Sequence, residues 1–297
     1  ARRIATLLAG ANHAVTPEDL AELPKAAVVF VTIATRPTLR IGAQLHPQHC
    51  DLADLRAAWR AADELGVDSL WTWDHFMPQT GDLNGRHYEC WSLLAAMAVE
   101  TSRATIGSLV TCTAYRNPHL LADQARTVDL LSGGRLVLGV GAGWFEQEHR
   151  EYGYPFPGPG GRIDAFEEAV TAIRDRLTRL NPAPVGPLPI LIGGGGEKRT
   201  LQAVARYADL WNWYGWDSTD PVAEFARRSG LLDDWCAEVG RDPREIGRTV
   251  MIDAPQTGLA EAFAAAGATE IIVSVPGPFD LAPVRELLAL RDGLAGR

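Results

Sequence analysis

Lysine is nearly missing from this 297-residue chain: Lys25 and Lys198 are the only two, and arginine carries almost all of the positive charge. Acidic residues outnumber basic ones, 37 to 28, and the formal charge of −9 repels phosphate backbones, which argues against nucleic acid as a partner. No apolar run approaches the roughly 18 residues that cross a bilayer, so no membrane helix is expected. Cysteine is scarce. Cys50, Cys90, Cys112 and Cys236 form no C-x-x-C pair, which leaves neither a disulfide framework nor a zinc finger and suits the reduced thiols of a cytoplasmic protein. His46 and His49 have a spacing that could bind metal, yet no third ligand accompanies them, and no metal site is expected.

What is present is an ordinary globular composition, 46% hydrophobic and 22% charged, enough to bury a large core. Residues 1–40 stand apart. Arg2-Arg3 and a short apolar patch invite comparison with a secretory signal, but Asn12 and His13 interrupt the patch and no cleavage site follows. Thr16-Pro17 reads as a helix start and Val28–Ile33 as a strand, in an N-terminal extension of unclear role.

From residue 41 to 297 the pattern is regular and suggests one domain. Short apolar runs rich in β-formers, each followed by a turn and a helical pattern, predict strands over Ile41–Leu45, Ser69–Trp73, Ala104–Thr111, Leu136–Gly141, Pro189–Gly193, Asp209–Trp213, Arg248–Ile252 and Glu270–Val275. Between them lie helices such as Asp51–Leu65, capped by Asp51 and stopped by Gly66, and Pro118–Leu131, closed by Gly133-Gly134. Eight alternating β-α units in about 250 residues favour a closed (β/α)8 TIM barrel over an open sheet. One interval is long. After the fourth strand the Pro/Gly-rich stretch Tyr152–Gly161 precedes a helix over Arg162–Leu180 and reads as an inserted lid.

In such a barrel the chemistry belongs at the carboxyl ends of the strands, and unusual residues gather there. Six of the nine tryptophans lie in those windows: Trp71, Trp73, Trp144, Trp211, Trp213 and Trp216. Rings and glycines at one mouth suit a large flat ligand, although barrels also bury tryptophan in layers. Gly193–Gly196 follows a strand and precedes a helix, so its amides suit a phosphate, with Lys198 or Arg199 adding charge. Gly139-x-Gly141-x-Gly143 departs from the dinucleotide fingerprint, because the third glycine comes one place early. Asp74-His75 is the best candidate for proton chemistry, since imidazole titrates at about pH 6.5.

Four blocks in order, Val67–Phe76, Ile106–Pro118, Asp129–Trp144 and Ile190–Gly196 with Ala208–Asn212, resemble the luciferase-like monooxygenase superfamily, and within it the branch that uses the deazaflavin coenzyme F420. The resemblance implies a ring across the barrel mouth, contacted by Asp74 and His75, with His75 as the proton-transfer residue. It implies a non-prolyl cis peptide at Ser108-Leu109 with Thr111 beside it. Gly141, Gly143 and Gln147 would line the cofactor, and Gly194, Gly195 and Gly196 with Lys198 would hold its phosphate. The activity implied is hydride transfer between the deazaflavin C5 and a small organic substrate, in an enzyme whose relatives are commonly homodimers. An FMN-dependent monooxygenase and a non-catalytic flavin-binding barrel are the alternatives. Tyr214, Trp216 and the apolar lid point to a mostly apolar substrate, enclosed by the loops Met77–Arg86, Tyr152–Gly161 and Tyr214–Asp220.

Overall fold

A computed structural model of the chain describes residues 39–295 apart from residue 216. The helix start at Thr16, the strand Val28–Ile33 and Trp216 lie outside the described residues. The chain alternates β1 (Arg40–Leu45), α1 (Leu52–Leu65), β2 (Ser69–Thr72), α2 (Cys90–Glu100), β3 (Thr105–Ser108), β4 (Thr111–Cys112), α3 (Pro118–Ser132), β5 (Leu136–Gly141), α4 (Glu146–Tyr152), α5 (Pro159–Leu177), β6 (Ile190–Gly193), α6 (Thr200–Tyr207), β7 (Leu210–Tyr214), α7 (Pro221–Val239), β8 (Gly247–Asp253), α8 (Ala260–Ala265), β9 (Glu270–Val275) and α9 (Ala282–Ala295).

All strand pairs are parallel. β9 pairs with β1, setting Ile41 opposite Ile271, and β3 reaches β5, so the sheet closes on itself. β3 and β4 are two halves of one stave, which gives the eight-stave (β/α)8 barrel expected from the alternation. The strands read as apolar runs because both faces are buried. Alternate residues sort to two cores: Ile41, Ala43, Leu45 and Leu70 pack outward against the helices, while Trp71, Leu109, Val137, Leu191 and Ile272 fill the barrel. Trp71 is therefore a core residue, with its indole N–H donating to Ser69 Oγ at 2.6 Å and Ser69 bonded in turn to the buried Glu270.

Three expectations need correction. The third stave is broken, and the non-prolyl cis peptide joins Leu109 to Val110, one bond later than expected. Asp51 occupies the N-cap position of α1, but its carboxylate pairs with Arg86 instead of capping. The lid is shorter than its Pro/Gly content suggests. Glu146–Tyr152 coils into α4, and α5 starts at Pro159 because proline is pre-set for the first helical turn.

Candidate active site

β2 ends at Thr72, and the following turn carries Asp74 and His75 across the barrel mouth. The two neighbours have different partners. Asp74 is buried and turned sideways: Arg116 meets its two oxygens at 2.5 and 2.9 Å, and the Cys112 amide donates to it at 3.1 Å. Burial pushes the Asp74 carboxyl upward, against the pull of Arg116. Arg116 also lies 3.6 Å from Glu89, the N-cap of α2, so this cluster ties β2, β4 and α2 together beneath the mouth. In this arrangement both oxygens of Asp74 are met by protein donors, which anchors the turn.

His75 faces the mouth. Its Nδ1 lies 2.8 Å from Oε2 of Glu148, a fully buried carboxylate on α4. Tyr115 donates its hydroxyl to the same oxygen at 2.7 Å, and the amides of Phe76 and Met77 donate to Oε1 at 2.6 and 3.2 Å. Burial alone would raise the Glu148 carboxyl, but the bonds from His75, Tyr115 and the Phe76 amide outweigh it and hold the group below its ordinary value. Burial and Glu148 push the Tyr115 phenol up, so it stays a donor.

Around His75 the walls are aromatic. Trp73, Trp144 and Phe145 present themselves edge-on at 6.1, 5.8 and 6.2 Å between centroids, and His46 lies against Trp73 at 4.2 Å. Trp144 is 65% exposed, the one large ring of this group turned to solvent. Burial lowers both His46 and His87 to about 4, so they are neutral at pH 7 and add hydrogen bonds without charge. His46 bonds Ser274, and Trp73 donates to His87. His49 turns instead to the Thr80 carbonyl, so the His46-x-x-His49 pair does not converge.

Behind the mouth, Ser108 and Thr111 are buried with their hydroxyls 2.5 Å apart, bridging the broken stave, and Ser108 donates to the Gly139 carbonyl. Leu109 is buried in the barrel core at this point, and Val110 is partly buried against it. Val110 also explains Gly141, where an added Cβ would stand 2.7 Å from the valine side chain. Gly143 has a φ of +76°, and a Cβ there would meet Cys112 Sγ and His149 Nε2. Next along α4, Gln147 bonds Glu151 along the helix, so its amide is turned away from His75, and its neighbour Glu148 takes the inward position.

Across the barrel, Gly194 (φ +127°), Gly195 and Gly196 lead into α6. The Gly194 amide is used by the Asn212 carbonyl, whereas those of Gly195 and Gly196 have no protein partner among the described residues. Arg228 from α7 binds the Gly195 carbonyl, and a Cβ on Gly196 would stand 2.5 Å from Thr200 Oγ1. Open amides and the Thr200 hydroxyl in one bare-backbone cradle fit a phosphate, while the Arg228 guanidinium is shared among the Gly195 carbonyl, Glu224 and Glu197 and braces the loop. Lys198 is exposed at its edge, and Arg199 is drawn away to Asp164 and Glu167.

Residues 33–257 match the family described as luciferase-like monooxygenase. The chain belongs to that family. It is 31% identical over 189 residues to the F420-dependent glucose-6-phosphate dehydrogenase of Amycolatopsis mediterranei, a stretch covering 57% of this chain and 54% of the relative. Its fold is similar to an F420-dependent secondary alcohol dehydrogenase solved with an F420-acetone adduct, with a TM-score of 0.74 at 18% identity over 88% of this chain and 99% of the other. It also resembles the oxygenating constituent of 3,6-diketocamphane monooxygenase from Pseudomonas putida in complex with FMN, with a TM-score of 0.58 at 16% identity over 72% and 67% of the two chains.

For this luciferase-like oxidoreductase the sequence brought out His75 and the glycine loop but missed Glu148, Tyr115, Arg116 and Arg228. Glu148-His149 inside a wholly polar turn just after a strand end was the available signal, because adjacent ionisable residues there need a reason to be helical. Arg116 carried none, since Asp74 lies 42 positions away, and the Gly195 carbonyl that Arg228 binds is 33 positions from it.

Proposed function

We propose that the chain is an F420-dependent oxidoreductase, moving a hydride between the deazaflavin and a small, mostly apolar alcohol or carbonyl compound. The observation that carries this reading is His75, bound through Nδ1 to Glu148 at the barrel mouth, with the rings of Trp73 and Trp144 edge-on to its own. When bound, the deazaflavin supplies the hydride-exchanging carbon, C5. His75 supplies the proton: it takes one from a substrate hydroxyl during oxidation and returns it during reduction. Trp73, Trp144 and Phe145 exclude water and orient the substrate, Gly195, Gly196 and Thr200 hold the cofactor phosphate on a loop that Arg228 braces, and Asp74 with Arg116 fixes the turn that carries His75. F420 is favoured by the Amycolatopsis relative, an F420-dependent dehydrogenase, whereas FMN appears with a more distant fold neighbour. The same reading carries a homodimer in the cytoplasm, in keeping with four free cysteines, and sedimentation velocity measures its size.

Fluorescence titration with F420 and with FMN tests the cofactor. Quenching of F420 at micromolar protein is expected, and tight binding of FMN alone would replace this reading with the monooxygenase one. His75→Ala should lower turnover about 1000-fold while F420 affinity stays within about twofold. A protein that binds F420 and turns over no alcohol or carbonyl compound would be a carrier.

A further inference from the structure

We propose that Glu148, itself held by Tyr115, is the positioning residue that locks His75 with its proton on Nδ1, making Nε2 the atom that exchanges a proton with the substrate. This deepens the oxidoreductase reading and rests on it for the reaction, but the tautomer itself belongs to the free protein.

Three of the four groups around the Glu148 carboxylate are donors whatever the state of the histidine: the Tyr115 hydroxyl on Oε2 and the amides of Phe76 and Met77 on Oε1, with His75 Nδ1 as the fourth contact at 2.8 Å. The two amides cannot reverse their direction, and the phenol keeps its proton. Both oxygens of Glu148 already accept from these fixed donors, which favours the acceptor-only ionised form and holds the group below its ordinary value, so the carboxylate stays ionised. An ionised carboxylate has no proton to give, so the hydrogen in the His75 contact sits on Nδ1. Neutral His75 is then left with its lone pair on Nε2, for which no protein partner exists among the described residues. In the oxidative direction the substrate O–H bond breaks and its proton goes to Nε2. The carbon loses its hydride to the deazaflavin, and the C=O double bond forms. The imidazolium so created lies against the Glu148 carboxylate, which stabilises it. The other charged and titratable groups packed near the ring are His87, which is neutral at pH 7, and the Asp74–Arg116 pair, which is internally compensated.

The test reads the tautomer directly, by 15N NMR of the free protein carrying labelled histidine, with the His75 signals assigned by their loss in His75→Asn. Nδ1 protonated and Nε2 bare is expected in the native chain. Glu148→Gln can donate as well as accept, so it should give a mixture of tautomers and lower kcat by about 100-fold with F420 affinity unchanged. Tyr115→Phe, the milder change, should lower kcat by about three- to tenfold while KM holds, and it keeps the test open if Glu148→Gln does not fold. A native His75 with its proton on Nε2 would overturn the proposal. So would a Glu148→Gln or Tyr115→Phe protein with native tautomer and native kcat. The expected tautomer shift in a protein that never turns over with F420 would sink the cofactor reading and leave the lock standing.

Discussion

The two sides of the barrel mouth are built on opposite principles. Around β2 and α4 the working atom is on a side chain, and the side chains that fix it are the buried Glu148, Tyr115 and Asp74 with the partly buried Arg116. Around β6 and α6 the working surface is bare backbone, Gly195 and Gly196, with its charges on exposed or half-buried arginines. The difference follows from the task. Proton exchange depends on one nitrogen in one protonation state, so it needs a dry, ordered shell. Holding a phosphate depends on several weak donors around a large anion, and glycine supplies close approach without that shell.

The contrast predicts that damage on the first side reads as stability and turnover, and damage on the second as affinity. Arg116→Met leaves the buried Asp74 carboxylate without its cation and should cost about 3–5 kcal/mol of unfolding free energy, measured by urea denaturation. His46 and His87 should give the first side a pH dependence. Each prefers its neutral form when folded, with a value of about 4 against 6.5 when exposed. Below pH 6.5 the unfolded chain binds the extra protons, so their stabilisation is complete above that pH and drains away towards pH 4. A thermal-unfolding series should show the melting temperature falling across this window, and His46→Gln should flatten the fall. On the second side, Gly196→Val places a methyl against Thr200 and should weaken F420 binding by about tenfold, the value of one charge-assisted hydrogen bond, with the His75 tautomer untouched. A stability loss in place of an affinity loss there would erase the distinction.

The same split governs what could be read from sequence. The barrel was legible because parallel strands buried on both faces write themselves as apolar runs punctuated by glycine, as in Leu136–Gly141. The glycine loop was legible because four consecutive glycines need no distant partner to make sense. The proton site was only half legible: His75 stood at a strand end, but Glu148 lies 73 positions away in a turn with no apolar periodicity. Gln147, the residue expected to line the cofactor, is adjacent to Glu148, and a single helical step of about 100° separates the two. Nothing in the local pattern of Glu146–Tyr152 chooses that rotation. The choice is made by Tyr115 and His75.

Glu148 has a neighbour on the other side of the same step. His149 is fully buried, its Nδ1 lies 2.9 Å from the Pro155 carbonyl, its own carbonyl accepts the Tyr154 amide at 2.7 Å, and its ring packs on Phe156. Two consecutive residues thus grip the proton-handling histidine and the covering loop from one short rod. Anyone grafting a foreign loop over this mouth to change what it admits would have to preserve a carbonyl where Pro155 now offers one. Otherwise the graft would re-seat α4, and selectivity could not be altered without also disturbing the grip on His75.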